Sequence, residues 1–439
     1  MIIVVGLGIT GLSVVRYLKK LNHDVAVMDT RGSPPGLATL QEEFPEVRCY
    51  LGELNRDVLC SAQEIILSPG LALSLPEIKA AREQGVSVVG DIELFARAAR
   101  APIVVITGTN GKSTVTTMIG ELAKAAGITV GVGGNLGEPA LNLLHIDTDL
   151  YVLELSSFQL ETTQSLVPEV ALLLNITPDH SDRYEKAEDY IAAKQWVFHH
   201  AALAVFNRAD DLTVPQHPVA QQQSFALDAP GANDLGVKQI GAVKWLMQGT
   251  TTLFPQAELA SQRPNFVNNA LAALAVVLHF KWPLISAQQV LHTFKGLPHR
   301  CQLILEQDAV RWYNDSKATN VGAAIAGIED VAADIAGQQI VILGGVGKGA
   351  DFSDLAAPLK RHAKHVILLG EAQQDIAQIL PQDLPRTHVG SLREAIARAA
   401  ELATAGDAVV LAPACASFDM FKDYNDRGQQ FVELVHAQR

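Results

Sequence analysis

Short apolar blocks recur along the chain with helix-length amphipathic stretches between them, the alternation of strands and helices in a parallel α/β sheet. In the first 90 residues, blocks at 2–5, 25–28, 65–67 and 86–89 predict strands. The cycle resumes after Ala101-Pro102, with strands expected at 103–106, 151–153 and 170–174 and helices over 115–126, 187–200 and 268–278. From Asp210 to Gln262 the rhythm breaks into polar, Gln- and Pro-containing sequence with brief alternation such as Val243-Lys244-Trp245-Leu246, the pattern of a small β insertion or sheet edge. A third cycle after Gly296-Leu297-Pro298 predicts buried strands at 340–343, 366–369 and 408–411 and a helix over 392–402. The expected architecture is α/β in three domains: Rossmann-like over 1–90, a central P-loop-type ATPase domain with a mostly parallel sheet over 91–297, and a second Rossmann-like domain over 298–439.

Composition narrows the function classes. At 439 residues, 48% hydrophobic and 18% charged, the chain has enough apolar surface for several cores. A net charge of −13 argues against non-specific nucleic-acid binding, so an anionic substrate must be held by local groups. No uncharged apolar run approaches the length of a membrane span, and the opening run 2–5 leads straight into a glycine loop and reads as a strand. Cys49, Cys60, Cys301 and Cys415 are scattered without metal-ligand spacing and read as reduced, buried thiols of a cytoplasmic protein.

Two glycine loops carry the first chemistry. Gly6-Leu7-Gly8-Ile9-Thr10-Gly11 follows one expected strand, and Gly108-Thr109-Asn110-Gly111-Lys112-Ser113-Thr114 follows another. Each is set to present backbone N–H groups at a helix start to phosphate oxygens. The first, with Asp29 at the end of the next strand and a turn at Ser68-Pro69-Gly70, fits a nucleotide or pyrophosphate; NAD(P) is the alternative, with Asp29 on a ribose hydroxyl. The second departs from the full P-loop at Ile106, yet Lys112 can reach β/γ-phosphates and Ser113 or Thr114 can ligate Mg²⁺, which marks an ATP site.

Further polar groups fall at strand ends, where ligands gather in α/β sheets. Glu154, followed by Leu155-Ser156-Ser157-Phe158-Gln159, is placed like a Mg²⁺ ligand; the plainer reading is a surface helix cap. In Asn175-Ile176-Thr177-Pro178-Asp179-His180-Ser181-Asp182-Arg183-Tyr184, His180 can ligate metal with Asp179 or Asp182 orienting it. Arg300 offers bidentate phosphate recognition, and Asn314-Asp315-Ser316-Lys317-Ala318-Thr319-Asn320 reads as either a site or an N-cap. Gly344-Gly345-Val346-Gly347-Lys348 and Ala412-Pro413-Ala414-Cys415-Ala416-Ser417-Phe418-Asp419 should line one edge of the third domain. Lys194, on the helix expected over 187–200, reads by itself as a solvated lysine.

In order, these motifs resemble the Mur ligases, ATP-dependent amino-acid-adding enzymes of peptidoglycan precursor synthesis, over essentially the whole chain. The Lys112 loop is common to that family and to folylpolyglutamate synthases. The segments starting at Glu154, Asp179, Asn314 and Pro413 look like the branch that adds D-glutamate to UDP-N-acetylmuramoyl-L-alanine, and the Asp-Asn-Pro-Arg motif of the diaminopimelate- or lysine-adding branch is absent. The resemblance implies ATP and two Mg²⁺ ions at Lys112, Ser113, Thr114, Glu154 and His180, with Lys194 matching a lysine that the family carbamylates into a further metal ligand. It implies UDP-substrate contacts from Ile9, Thr10, Asp29, Thr30, Arg31, Ser68, Gly70, Asn135, Ser156 and Gln159, and D-glutamate contacts from Thr319, Lys348, Ser417 and Tyr424. Gly108, Thr109, Asn110, Gly111, Arg300 and Asp315 fall to ATP together with Asn268; because the family's His-Asn stands here as Pro264-Asn265, Asn265 and Asn269 stay open as alternatives to Asn268. A monomer is expected. The first alternative is a relative acting on folate or on another UDP-muramoyl peptide; an NAD(P)-dependent dehydrogenase has no use for Lys112-Ser113-Thr114, and a non-enzymatic nucleotide-binding regulator stays open only with the metal ligands unoccupied.

Overall fold

A computed structural model describes residues 1–145, 147–180, 183–184 and 186–438. The chain forms two compact units, one of residues 1–176, 183–254 and 270–290, the other of residues 177–182, 255–269 and 291–439.

The first unit carries two sheets. One is five-stranded and parallel, in the order Arg48–Leu51, Val25–Asp29, Ile2–Val5, Glu64–Leu67, Ser87–Val89. Ile2–Val5 and Val25–Asp29 are buried throughout, as apolar blocks in a doubly covered parallel sheet should be. Arg48–Leu51 was not expected from the sequence because it is an edge strand, exposed to half-buried, and leaves no apolar block. The chain builds outward from Ile2–Val5 first to one side and then to the other, so a crevice opens at the C-terminal ends of Ile2–Val5 and Glu64–Leu67. The Gly6 loop and the Ser68 turn begin there.

The other sheet has nine strands, in the order Thr251–Pro255, Val243–Gln248, Leu235–Ile240, Gln221–Phe225, Leu203–Asn207, Val170–Leu173, Ile103–Thr107, Leu150–Glu154, Val130–Gly134. The run from Gln221–Phe225 to Val130–Gly134 is parallel, whereas Leu235–Ile240 and Val243–Gln248 pair antiparallel. The polar stretch therefore forms the sheet edge that its alternation suggested. Val130–Gly134 escaped the apolar-block reading because its glycines are there for close packing: a Cβ at Gly133 would lie 2.3 Å from the Glu138 carbonyl oxygen. The helix Pro264–His279 starts earlier than expected, Pro264 being preorganised for a first turn, and residues 270–277 are fully buried. The helix after the His180 segment, Ala187–Gln195, passes into a 3₁₀ turn at Trp196–Phe198.

The second unit holds a six-stranded sheet in the order Gln302–Gln307, Val310–Asn314, Ala408–Leu411, Gln339–Gly344, Ala363–Leu369, Arg386–His388. The first pair is an antiparallel hairpin and the remaining pairings are parallel. The loops after Val310–Asn314, Ala408–Leu411 and Gln339–Gly344 thus leave the same sheet end, side by side. Among the described residues no helix is long and apolar enough to cross a membrane. The cysteines are free thiols; Cys415 is buried, but Cys49, Cys60 and Cys301 are half-buried rather than enclosed as expected.

Arg427, on the helix Tyr424–His436, is 2% exposed and ties two of those loops together. Its Nε donates to Ser316 Oγ at 3.0 Å, and one terminal nitrogen donates to the Ser316 and Cys415 carbonyl oxygens at 2.8 and 3.1 Å. Burial pulls its pKa down to about 10, against the pull of Cys415 and Asp419, while its hydrogen bonds go to a hydroxyl and to carbonyl oxygens. Arg427→Met removes the donors and strands the carbonyls. It should cost about 3 kcal/mol of unfolding free energy, read by urea denaturation; a loss below about 1 kcal/mol would mean that the loops hold each other without it.

Candidate active site

The Lys112 loop leaves the C-terminal end of Ile103–Thr107, between Leu150–Glu154 on one side and Val170–Leu173 on the other. Both neighbours shape it. Thr107 Oγ1 donates to the Leu155 carbonyl at 2.8 Å; Thr109 N donates to the Asn175 carbonyl at 2.9 Å. Asn175 also clasps Asn110, accepting its N–H at 2.8 Å and donating to its carbonyl at 3.1 Å. The helix Lys112–Ala125 begins at Lys112 behind Gly111, which has no side chain to cap it, so its N-terminal end points into the loop. Lys112 Nζ donates to the Gly108 and Thr109 carbonyls at 3.0 and 2.9 Å.

Lys194 is not a solvated lysine. It is 2% exposed, donates to the Gly108 carbonyl at 2.7 Å and stands 4.7 Å over the Tyr190 ring, whose hydroxyl is 3.0 Å from Thr109 Oγ1. Glu154 is likewise buried at 3% exposure instead of capping a surface helix. Its Oε1 accepts from Asn135 Nδ2 at 3.0 Å, and its Oε2 is enclosed without a hydrogen-bond partner. An orphaned carboxylate oxygen in the same sheet end as a phosphate loop suits a hard cation. Among the described residues no three His, Cys, Asp or Glu side chains form a ready metal cage.

Beyond Glu154, Ser156 and Gln159 form a reciprocal capping box on the short helix Ser157–Leu160. Gln159 Nε2 donates to Asp91 Oδ2 at 3.3 Å; Asp91 is pushed up to about 6 by burial, against the pull of that bond. At the first glycine loop, a Cβ at Gly11 would lie 1.9 Å from the Gly6 carbonyl oxygen, so this glycine is required by the turn itself. Leu7 N donates to Asp29 Oδ2 at 2.7 Å, and Arg31 forms a fork on the same carboxylate at 2.8 and 2.7 Å, holding it at about 2. Asp29 is therefore engaged by its own loop and by Arg31, which leaves less of it for a ribose diol than a dinucleotide reading requires. Ile9 is 77% exposed, and Thr30, Arg31 and Gly70 are exposed around the same crevice, with Ser68 and Thr10 half-buried.

In the second unit, Asp179 accepts its neighbour's N–H, that of His180, at 2.9 Å and Asn320 Nδ2 at 2.9 Å, with His180 Nε2 3.8 Å away. Asp182, the other candidate for orienting His180, lies outside the described residues. Asp315 is buried, accepts Cys301 N at 3.0 Å and is raised to about 7 by burial, against the pull of that N–H. Arg300 and Thr319 are half-buried. Asn268 has an enclosed side-chain oxygen without a partner, whereas Asn265 donates to the Ala326 carbonyl at 3.1 Å. The two glycine- and alanine-rich loops do meet: Val346 N donates to the Ala416 carbonyl at 2.9 Å, and a Cβ at Gly345 would lie 2.2 Å from that oxygen. These glycines thus have a packing reason of their own. Lys348 takes φ +51° and points over the Phe418 ring, Ser417 is 2% exposed, and the Tyr424 ring lies 4.1 Å beneath Lys317 Nζ.

Sequence reasoning missed Asn175 and Tyr190 as organisers of the Lys112 loop, Asp91 behind Gln159, and Arg427 behind Ser316 and Cys415. For Asn175 the signal was present, a polar side chain at the end of the strand beside the loop. Arg427 had none, since a charged helix residue is most often solvated.

Three family models match the chain in succession. Residues 1–90 match the family model for the Mur ligase MurD-like N-terminal domain, 106–277 the Mur ligase middle domain, and 299–415 the Mur ligase glutamate ligase domain. The chain is 50% identical over 434 residues to the UDP-N-acetylmuramoylalanine–D-glutamate ligases of Pseudomonas fluorescens Pf-5 and Pseudomonas aeruginosa PAO1, covering 99% of this chain and 97% of each relative. Its fold is similar to that of UDP-N-acetylmuramate-alanine ligase MurC from Thermotoga maritima, with a TM-score of 0.62 at 18% identity, 100% of this chain and 99% of that one being covered. With three family domains in order along an α/β chain of mostly parallel sheets, and half its residues shared with full-length relatives, the chain belongs to the Mur ligase family.

Proposed function

We propose that the protein is the ATP-dependent ligase that joins D-glutamate to UDP-N-acetylmuramoyl-L-alanine in peptidoglycan precursor synthesis. The observation that carries this reading is the 50% identity to D-glutamate ligases over 99% of the chain. Residues 1–90 take the uridine nucleotide, 91–297 the ATP, and 298–439 the amino acid together with part of the nucleotide. ATP transfers its γ-phosphoryl group to the alanine carboxylate, forming an acyl phosphate. The D-glutamate amine attacks the acyl carbon, and phosphate leaves from the tetrahedral intermediate.

The Gly108–Thr114 backbone and Lys112 bind the β/γ-phosphates, Lys112 exchanging its loop carbonyls for phosphate oxygens. Glu154 Oε2, Ser113 or Thr114 and His180 are the oxygen and nitrogen donors that would hold Mg²⁺, and Lys194, once carbamylated, would be a further one. Bound Mg²⁺ supplies charge neutralisation for the transferring phosphoryl group. Asn268, Arg300 and Asp315 bind the rest of ATP. Ile9, Thr10, Asp29, Thr30, Arg31, Ser68, Gly70, Asn135, Ser156 and Gln159 bind the UDP-substrate; Lys348 holds a carboxylate of D-glutamate, with Thr319, Ser417 and Tyr424 around it. The protein works as a monomer in the cytoplasm, a compartment that its unpaired cysteines and nucleotide-linked substrates suit.

Phosphate release measured with ATP, UDP-N-acetylmuramoyl-L-alanine and each candidate amino acid tests the assignment: D-glutamate should be the best substrate, and faster turnover with diaminopimelate or lysine would refute it. Lys112→Ala should reduce phosphate release by more than about a hundredfold while leaving UDP-substrate affinity near that of the wild type, because the first glycine loop is a separate site. Equal loss of UDP-substrate binding would sink the two-site reading. Lys194→Ala should be nearly inactive and partly restored by acetate, which supplies the missing anion; activity near wild type without acetate would rule out the carbamate.

A further inference from the structure

Asp91 is a buried carboxylate that the reaction does not use directly. It opens the helix Asp91–Ala98, is 2% exposed, and has one oxygen on Gln159 Nε2 at 3.3 Å and the other without a hydrogen-bond partner. Such a group costs free energy to keep, so it needs a use. Docking of this helix onto the 162–165 segment is not that use, because its neighbours do the docking. Gly90 N donates to the Thr162 carbonyl at 3.0 Å, and Glu93 accepts Gln164 N, Ser165 N and Ser165 Oγ at 2.7, 2.8 and 2.8 Å. Outside its own helix start, whose Asp91 and Ile92 N–H groups also favour its charge, Asp91 is left with Gln159.

The polarity of the Gln159 amide follows from its two neighbours. A backbone N–H donates and never accepts, so Gln159 Oε1 must face Ser156 N, 3.1 Å away. The NH₂ end then needs an acceptor, and the Asp91 carboxylate is that acceptor. Ser156 Oγ accepts Gln159 N at 3.2 Å and, with Oε1 held toward it, gives its own proton to that oxygen at 3.2 Å. What Ser156 has left is a lone pair.

We propose that Asp91 is a positioning residue of the UDP-substrate groove: through Gln159 it fixes the Ser156 hydroxyl as an acceptor, and the group recognised there is a hydrogen-bond donor of the muramoyl-peptide, an amide N–H or a sugar hydroxyl. This rests on the reading above in which Ser156 and Gln159 bind the UDP-substrate.

The test uses the full-length enzyme, with KM and kcat for all three substrates and a calorimetric Kd for UDP-N-acetylmuramoyl-L-alanine. Turnover by the wild type tests the ligase reading; the variant-to-wild-type ratios test the relay. Asp91→Ala should raise KM and Kd for the UDP-substrate about tenfold, with KM for ATP and D-glutamate and kcat changed less than about twofold. Asp91→Asn keeps an acceptor oxygen and should recover most of that loss. Should Asp91→Ala fail to fold, Gln159→Glu sets two carboxylates face to face and should weaken the UDP-substrate, and Asp91→Asn/Gln159→Glu should restore it by giving the pair a donor again. An unchanged UDP-substrate KM in Asp91→Ala, an equal rise in all three KM values, or no recovery in the double variant would overturn the proposal.

Discussion

An ammonium group taken out of water has to find oxygen, and both lysines of the phosphate loop find the same carbonyl, that of Gly108. Lys112 reaches it from the start of its own helix, Lys194 from a helix more than eighty residues further on. The loop between them is pulled to a defined shape, with Asn175 and Leu155 holding its flanks from the two neighbouring strands. Sheet order, loop conformation and the burial of Glu154 are consequences of one arrangement, since each of these groups leaves an adjacent strand at the same end. An anion entering the loop meets two ammonium groups that the loop's own backbone carbonyls hold in place.

Much of this was legible in the sequence, and for identifiable reasons. Buried parallel strands are near-continuous apolar runs, so Ile2–Val5, Ile103–Thr107 and Ala408–Leu411 stand out, and glycine loops directly after them point to phosphate. Edge strands such as Arg48–Leu51 are half wet and carry no such run. Burial of a charged residue is harder to see, because it depends on partners far away in the chain. Lys194, Asp91 and Arg427 each sit on helices whose local sequence reads as solvated, and each is 2% exposed. Glycines mislead in the other direction: Gly345 resembles part of an anion loop, yet contact with the Ala416 carbonyl alone would require it.

Within the first unit the two sheets are joined by polar contacts as well as by apolar packing. Arg183 donates to the Pro69 carbonyl at 3.2 Å and to Glu161 at 3.0 Å while its guanidinium stacks 4.3 Å from the Phe158 ring centre. Glu93 and Gly90 make the corresponding ties on the linker between the sheets. Directional bonds of this kind fix register where apolar contact alone would allow sliding. The turn at Ser68–Gly70 and the capping box at Ser156–Gln159 are thereby held in one frame, so a ligand touching both meets groups already ordered in folding.

The antiparallel ribbon at the far side of the nine-stranded sheet has a practical consequence. A parallel sheet ending at Gln221–Phe225 would offer its unpaired N–H and carbonyl groups to any passing strand; Leu235–Ile240 and its partners cover that edge, and Thr251–Pro255 ends in a proline that withholds a donor. Four strand spacings separate Leu235–Ile240 from the strand that carries the phosphate loop, roughly 19 Å. The hairpin turn at Gly241, in left-handed conformation and facing solvent, is accordingly the natural attachment point for a fluorophore or an inserted peptide that must report on the enzyme without entering its chemistry.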